Sequence, residues 1–461
     1  MHYNLLLDTD SYKASHWLQY PPGTQGMYSY LESRGGRYGQ TLFFGLQYLL
    51  KEYLSRRVSA RDVEEAREFF SDHGVPFNAE GWLDIVNRLQ GRLPIRIRAV
   101  REGSLVPTHN VLLTVESTDA RTFWVVGYLE TILMRLWYPI TVATQSWHIK
   151  QIIRGYLEST SDFPAEELAL KLHDFGSRGV SSSESAAIGG AAHLVNFRGS
   201  DTVVGTRLAN EIYEAKMAAF SIPAAEHSTI TAWGREREAE AYRNMLDQFA
   251  KPGKIVAVVS DSYDLWNALE KLWGEKLRAA VVQSGATVVI RPDSGHPPKV
   301  VLRALRTLDA KFGSTFNKRG FRVLNHVRVI QGDGVNEDSI REILETVVGA
   351  GFSASNVAFG MGGALLQKVD RDTQKFAFKC SEVTIAGKQL PVSKNPVTDP
   401  TKASKAGRLD LVSRNGKRET VSGDGGYGSL LDEVFCNGEI LRTQTLEEIR
   451  HIADEAALVT S

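Results

Sequence analysis

Cysteine is nearly missing. Cys380 and Cys436 are the only two in 461 residues, too few for a disulfide framework or a cysteine-built metal site. A charge surplus is missing too. Lys plus Arg and Asp plus Glu both number 54, for a formal net charge of +0. Duplex-binding proteins usually carry a basic excess, so no nucleic-acid partner is expected. No long uninterrupted apolar run exists. The most apolar stretch, residues 123–140, is broken by Glu130 and Arg135 and predicts a buried amphipathic helix and no membrane span. The first residues lack a basic n-region and hold only three leucines before Asp8, so no signal peptide is expected. P-loop, HExxH and paired CxxC patterns are absent, which sets aside P-loop kinases, zincins and zinc ribbons. What remains is a soluble chain, most simply cytoplasmic, with room for two domains or one large barrel with additions.

The chain changes character along its length. Up to about residue 144 it mixes strand-like runs at 95–100 and 111–115 with helical patches such as 60–71. A different rhythm follows, of a short apolar β-branched run, a polar turn, then a helical stretch. Residues 255–260 lead to Asp261, 286–290 to Arg291-Pro-Asp293, 327–331 to Gly332-Asp-Gly334, and 356–359 to Gly360-Met-Gly-Gly363. Less regular versions occur at 170–174, at 194–197 before Asp201, and at 218–222 before His227. Strand–turn–helix units in series imply parallel strands with right-handed crossovers. Seven of them fit an α/β fold with an irregular (β/α) barrel, while an open doubly wound sheet stays possible. The barrel is expected over residues 146–379. From about Lys379 the rhythm stops, and the tail is expected to return to the N-terminal segment, giving a discontinuous α+β domain of residues 1–145 and 380–461.

In such a barrel the residues just after each strand converge on one mouth. They are Asp174, Arg178, Asp201, His227, Asp261, Arg291, Asp293, Asp333, Gly362 and Gly363. The turns at Gly332-Asp-Gly334 and Gly360-Met-Gly-Gly363 could cradle a phosphate at a helix N-terminus, or be ordinary turns needing positive φ. Arg291 and Asp293 could clamp an anion and hold ribose hydroxyls, or be a structural ion pair at a capped turn. A lone histidine such as His227 is more often structural than catalytic. Gly423-Asp-Gly-Gly-Tyr-Gly428 matches GxGxxG formally, but lies outside any strand–helix–strand unit and is read as a loop. The basic tail residues Lys379, Lys394, Lys402, Lys405 and Arg408 form either a solvated face or, folded over phosphates, an electrostatic funnel. Two arginines, several acids, a histidine, the aromatic Phe175 and two glycine turns together suggest an anionic sugar-phosphate with an aromatic base.

These residues lie in a longer series that resembles the nicotinamide phosphoribosyltransferase family nearly end to end. The series includes Asp10-Ser-Tyr-Lys13, Gln19-Tyr-Pro-Pro22, Phe44-Gly-Leu-Gln-Tyr48, Trp137-Tyr-Pro-Ile-Thr-Val-Ala-Thr144 and His173-Asp-Phe-Gly176. It continues through Arg178-Gly-Val-Ser-Ser182, Pro223-Ala-Ala-Glu-His-Ser-Thr-Ile-Thr-Ala-Trp233, Val259-Ser-Asp-Ser-Tyr-Asp264, Ile290-Arg-Pro-Asp-Ser-Gly295, Gln331-Gly-Asp-Gly-Val335 and Leu365-Leu-Gln-Lys368. The resemblance implies transfer of phosphoribosyl from phosphoribosyl pyrophosphate to nicotinamide, with Mg²⁺ carried on the substrate phosphates and ATP hydrolysis coupled through a phosphohistidine at His227. It implies that Phe175 stacks on the pyridine ring, that Asp201 accepts from the carboxamide with Arg291 nearby, and that Asp293 contacts the ribose. Arg178, Gly332, Asp333, Gly362, Gly363 and Arg371 are implied to hold the ribose and 5′-phosphate, and Arg34, Lys379, Lys394 and, more weakly, Lys402 the remaining phosphates. His227, Asp261 and Asp293 form the implied catalytic set. Asp10 and Tyr12 would complete the base site from the second subunit of a homodimer with shared sites. The segment after Arg34 is short, Leu170 and Ala257 replace a tyrosine and a serine of animal members' tunnel, and Met361 and Ala364 alter the glycine run. Competing expectations are a nicotinate phosphoribosyltransferase and, from another class, a non-catalytic sugar-phosphate-binding barrel.

Overall fold

The computed structural model describes residues 3–399, 402–423 and 425–460. The chain divides into two compact units: Met1–Thr144 with Glu211–Ala215 and Asp370–Ser461, and Gln145–Asn210 with Lys216–Val369.

The first unit is built on an antiparallel sheet. Its strand order is Lys388–Pro391, Phe376–Ile385, Thr24–Ser33, Val111–Ser117, Ile95–Ala99, Asp432–Cys436, Glu439–Ile440. Chain ends far apart in sequence therefore share one sheet. The second unit ends at Val369, ten residues before the expected 379, because Phe376–Ile385 pairs antiparallel with Thr24–Ser33 along its length, from Phe376 opposite Ser33 to Ile385 opposite Thr24. Helix Ala60–His73 is bounded as its sequence dictates. Ser59 and Asp62 cap its start reciprocally, and Gly74 ends it at φ 80°. The expected single helix over 123–140 is instead three pieces, Val125–Tyr128, Glu130–Met134 and Trp137–Thr160. Trp82 packs edge-on against Trp124 and Tyr128, with ring centroids 5.0 and 5.1 Å apart, and anchors this core.

The second unit is an irregular barrel. Its parallel strands run in the order Gly199–Ser200, Leu172–Asp174, Val357–Met361, Val327–Gln331, Thr287–Arg291, Ile255–Val259. Single bridges place Phe220 beside Gly199 and Ala224 beside Ala257, so residues 220–224 join the two edges where an open sheet would have none. The strand expected at 194–197 is a turn closing helix Ser183–His193. Leu194 and Phe197 donate backwards, to the Gly190 and His193 carbonyls, and the strand begins only at Gly199. Between strands, helix Pro297–Phe312 starts with proline and buries Val301, Ala304, Leu305, Leu308 and Phe312, the spacing of one helical face. Helix Glu337–Gly349 is capped by Asn336 and Ser339 and buries Ile340, Ile343, Leu344 and Val347. Each crossover turns the next strand's C-terminal end toward the same mouth. The segment 423–428 contains a one-turn helix, Gly426–Gly428, and no nucleotide-binding unit; Asp424 lies outside the described residues.

Candidate active site

Three strand ends build the centre of the barrel mouth. Asp261 follows Ile255–Val259, and its side chain is only 4% exposed. It accepts from His227 Nε2 at 3.0 Å, from the Ser294 hydroxyl at 2.7 Å and from the Asp293 amide at 2.9 Å. Burial pushes the Asp261 carboxyl up, but these donors together hold it below the ordinary carboxylate range. An ionised carboxylate can only accept, so His227 Nε2 carries the hydrogen, and in the neutral imidazole Nδ1 then keeps its lone pair. Nδ1 lies 4.0 Å from Asp293 Oδ2, which in turn lies 3.9 Å from Arg291 Nη2. Burial raises the Asp293 carboxyl, with Arg291 opposing. Arg291 Nε is buried without an acceptor among the described residues.

Gly332 marks where these groups meet the aromatic. A Cβ there would stand 3.2 Å from Asp293 Oδ1, 3.6 Å from Arg291 Cδ and 3.8 Å from Phe175 Cε2. Phe175 is half-buried, and its ring lies over Gly360, where a Cβ would come within 2.0 Å of Cε2. Gly360 therefore belongs to the aromatic's support rather than to a phosphate turn. Of the glycines offered for positive φ, Gly334 adopts it at 66°, while Gly332, Gly362 and Gly363 do not. Gly362 lies against the Phe175 carbonyl and Gly363 against Gly179, so the Gly360–Gly363 turn and the Arg178 turn abut.

Asp201 follows Gly199–Ser200 and is exposed at the same mouth. Its carboxylate receives the Ser221 hydroxyl, and its amide donates to the Asp174 carbonyl at 2.9 Å. Arg178 and Asp333 are exposed, and the Asp333 carbonyl accepts from the buried Gln331 amide at 2.7 Å. Ser221, Ser294 and Gln331 are supporting residues to which sequence reasoning gave no role, and Gly360 was read as part of a phosphate turn. Ser294 sits beside Asp293, so adjacency was the one available signal.

The remaining expected residues lie in the first unit. Arg34 donates through Nε to Glu32 at 2.9 Å, and its Nη2 is buried with no acceptor among the described residues. Burial lowers the Lys379 ammonium; Glu130 opposes this, while Arg34, Lys394 and Lys13 add to it. Arg34, Lys379 and Lys394 thus form one cationic group. Arg371 is exposed beside Asp372, and the Lys402 ammonium pairs with Asp399 while its carbonyl accepts from Arg34 Nη1 at 3.5 Å. Asp10 accepts from the Thr131 hydroxyl at 2.7 Å, and Tyr12 is 59% exposed against His16. Among the described residues no three His, Cys, Asp or Glu side chains cluster as a metal cage, and no helix is long and apolar enough to cross a membrane.

The chain matches two family models, the nicotinate phosphoribosyltransferase (NAPRTase) family over residues 170–439 and the nicotinamide phosphoribosyltransferase N-terminal domain over residues 4–97. A nicotinamide phosphoribosyltransferase from Xanthomonas campestris pv. campestris is 60% identical across 99% of this chain and 100% of its own length. The chain belongs to the nicotinamide phosphoribosyltransferase family. A member from Acinetobacter baylyi is 32% identical, covering 97% of this chain and 96% of its own. The fold is shared more widely. A nicotinate-nucleotide pyrophosphorylase structure from Pyrococcus furiosus superposes with TM-score 0.64 at 16% identity, covering 99% of this chain and 96% of that one. Human nicotinic acid phosphoribosyltransferase gives 0.59 at 16% identity, covering 97% and 93%.

Proposed function

We propose that this enzyme transfers phosphoribosyl from phosphoribosyl pyrophosphate to the ring nitrogen of nicotinamide, in salvage of NAD. The observation that carries the reading is the meeting at Gly332 of an aromatic platform, Phe175, with the Arg291 and Asp293 side chains. The pyridine nitrogen brings its own lone pair, so no general base is needed. The nitrogen–C1 bond forms as the C1–oxygen bond breaks, and diphosphate leaves with the electron pair. Positive charge develops at C1, and the Asp293 carboxylate is the group at hand to stabilise it. Asp201 accepts from the carboxamide N–H, a bond that a nicotinate carboxylate cannot offer.

The mouth's acids form no cage of their own, so Mg²⁺ is read as part of the sugar diphosphate substrate, which it would neutralise. Arg34, Lys379 and Lys394 supply fixed cations suited to phosphates. His227 Nδ1, with its lone pair free, suits attack on the terminal phosphorus of ATP, releasing ADP and leaving phosphohistidine as the coupling step. A homodimer in the cytoplasm completes the reading, with Tyr12 and Asp10 of the partner subunit closing the base site. The test is mass detection of nicotinamide mononucleotide from purified protein, Mg²⁺, phosphoribosyl pyrophosphate and nicotinamide, with and without ATP. Product from nicotinate but not nicotinamide would transfer the assignment to the acid. No product from either would leave a sugar-phosphate-binding barrel.

A further inference from the structure

Asp174 is buried and stands behind the base site rather than in it. Its Oδ1 accepts the Gly176 amide at 2.7 Å, and its backbone carbonyl accepts the Asp201 amide at 2.9 Å. Phe175 lies between those two attachments in sequence. Asp174 Oδ2 and the neighbouring Thr202 hydroxyl are both buried, and the hydroxyl lies close enough to act on the carboxylate. Glycine at 190 leaves room for Oδ2, since a Cβ there would stand 3.3 Å from it. Burying a carboxylate is costly even where its oxygens find donors. Asparagine could also accept from Gly176 while offering its NH₂ to Thr202, so packing alone does not call for an acid here.

We infer that Asp174 is a positioning residue whose side chain holds one wall of the base slot, the Phe175 platform, through a charge-assisted clamp on the Gly176 turn. The inference rests on the reading of this mouth as a nicotinamide site. Charge on the acceptor shortens and strengthens the Gly176 bond relative to a neutral one. The carboxyl is pushed up to about 6, chiefly by burial and also by Asp201; the Gly176 amide and the Thr202 hydroxyl oppose. Asp201 is the titratable group acting on it. Helix Ser183–His193 presents Gly190, and helix Gly363–Leu366 presents Leu366 to the Gly176 turn. The clamp is therefore fully charged well above pH 6 and weakens as pH falls through about 6.

The experiment is steady-state kinetics without ATP, so that His227 phosphorylation does not enter, on wild type and Asp174→Asn. In wild type, kcat/KM for nicotinamide should fall as pH drops through about 6 while KM for phosphoribosyl pyrophosphate stays level. Asp174→Asn should raise KM for nicotinamide about 3- to 10-fold at neutral pH. It should leave kcat and the other KM within about twofold, and abolish the acid limb. Asp174→Ala, which removes the clamp altogether, should raise KM for nicotinamide further, with folding checked by thermal melting. A wild-type profile flat through this range, an acid limb that survives in Asp174→Asn, or equal losses in kcat and both KM values would each overturn the inference while leaving the assigned reaction standing. A wild type that makes no nicotinamide mononucleotide would overturn the reaction and this inference with it.

Discussion

Asp261→Asn separates the two jobs of one carboxylate. Asp261 accepts from three donors, His227 Nε2, the Ser294 hydroxyl and the Asp293 amide. Asparagine keeps one accepting oxygen and replaces the other with NH₂. The last two donors share Oδ2, whereas His227 alone uses Oδ1. Turning the NH₂ toward the shared pair would leave the half-buried Asp293 amide without its acceptor, at about 1–3 kcal/mol, although the exposed Ser294 hydroxyl could turn to accept. The amide should therefore keep its oxygen on Ser294 and Asp293 and present NH₂ to the histidine. Nε2 must then accept, which moves the ring hydrogen to Nδ1 and removes the lone pair that would attack phosphorus. Restoring the reactive tautomer costs at least one hydrogen bond, about 1–3 kcal/mol, or roughly 5- to 150-fold in rate. ATP stimulation and phosphohistidine should fall by that factor. Basal transfer should change little, because the Asp293 amide keeps its acceptor. The assay pairs mononucleotide yield, with and without ATP, with acid-labile phosphate on the protein, and His227→Ala sets the floor. Full phosphorylation in Asp261→Asn would refute the tautomer argument, and parallel loss of basal activity would show that Asp261 serves Asp293 first.

Three further outcomes are expected. Asp201→Ser should narrow the preference for nicotinamide over nicotinate, because two unpaired negative charges no longer meet and a site built on one hydrogen bond discriminates by roughly 10⁴-fold; kcat/KM for both bases checks it, and wild type that uses nicotinate equally well would sink it. Gly360→Ala should displace Phe175, since the new methyl would stand 2.0 Å from its ring; KM for nicotinamide should rise more than about tenfold, with about 1–3 kcal/mol lost in thermal or denaturant unfolding. Tyr12→Ala mixed with Asp293→Ala should recover activity through one intact site per heterodimer, whereas heterodimers that form and stay inactive would end the shared-site proposal.

The barrel was legible where strands are long and apolar. Residues 255–259, 287–291, 327–331 and 357–361 each form a strand of five residues with a buried core. Legibility failed where pairing is thin. Gly199–Ser200 is two residues long, and residues 220–224 join by single rungs, so neither carries a periodic signal of its own. Mouth residues were readable by position, because the residue after a strand points to the mouth whatever its neighbours. Their supports were not. Ser221 reaches Asp201 across 20 positions and Ser294 reaches Asp261 across 33, and no local pattern encodes such a pairing. The same holds in the first unit, where Lys379 draws Arg34, Lys394 and Lys13 around it from distant sequence. Lys379 and Lys394 were readable as part of a basic tail group, whereas setting Arg34 beside them as phosphate ligands was an expectation from family resemblance.

The run Gly360-Met-Gly-Gly363 shows why glycine motifs mislead when read as one device. Its first glycine lies inside strand Val357–Met361 and makes room for an aromatic ring, while its last two lie at the start of helix Gly363–Leu366, against the turn that carries Arg178. None of the three needs a left-handed backbone. What they share is the absence of a Cβ, used once for a ring and once for close approach of two turns. A side chain at 360 would disturb base recognition, whereas one at 363, where a Cβ meets nothing within 4 Å, would be felt only by a ligand bound there. On the proposed reading, substitution at the two ends of the run should separate base binding from phosphate binding, a distinction the sequence pattern alone cannot draw.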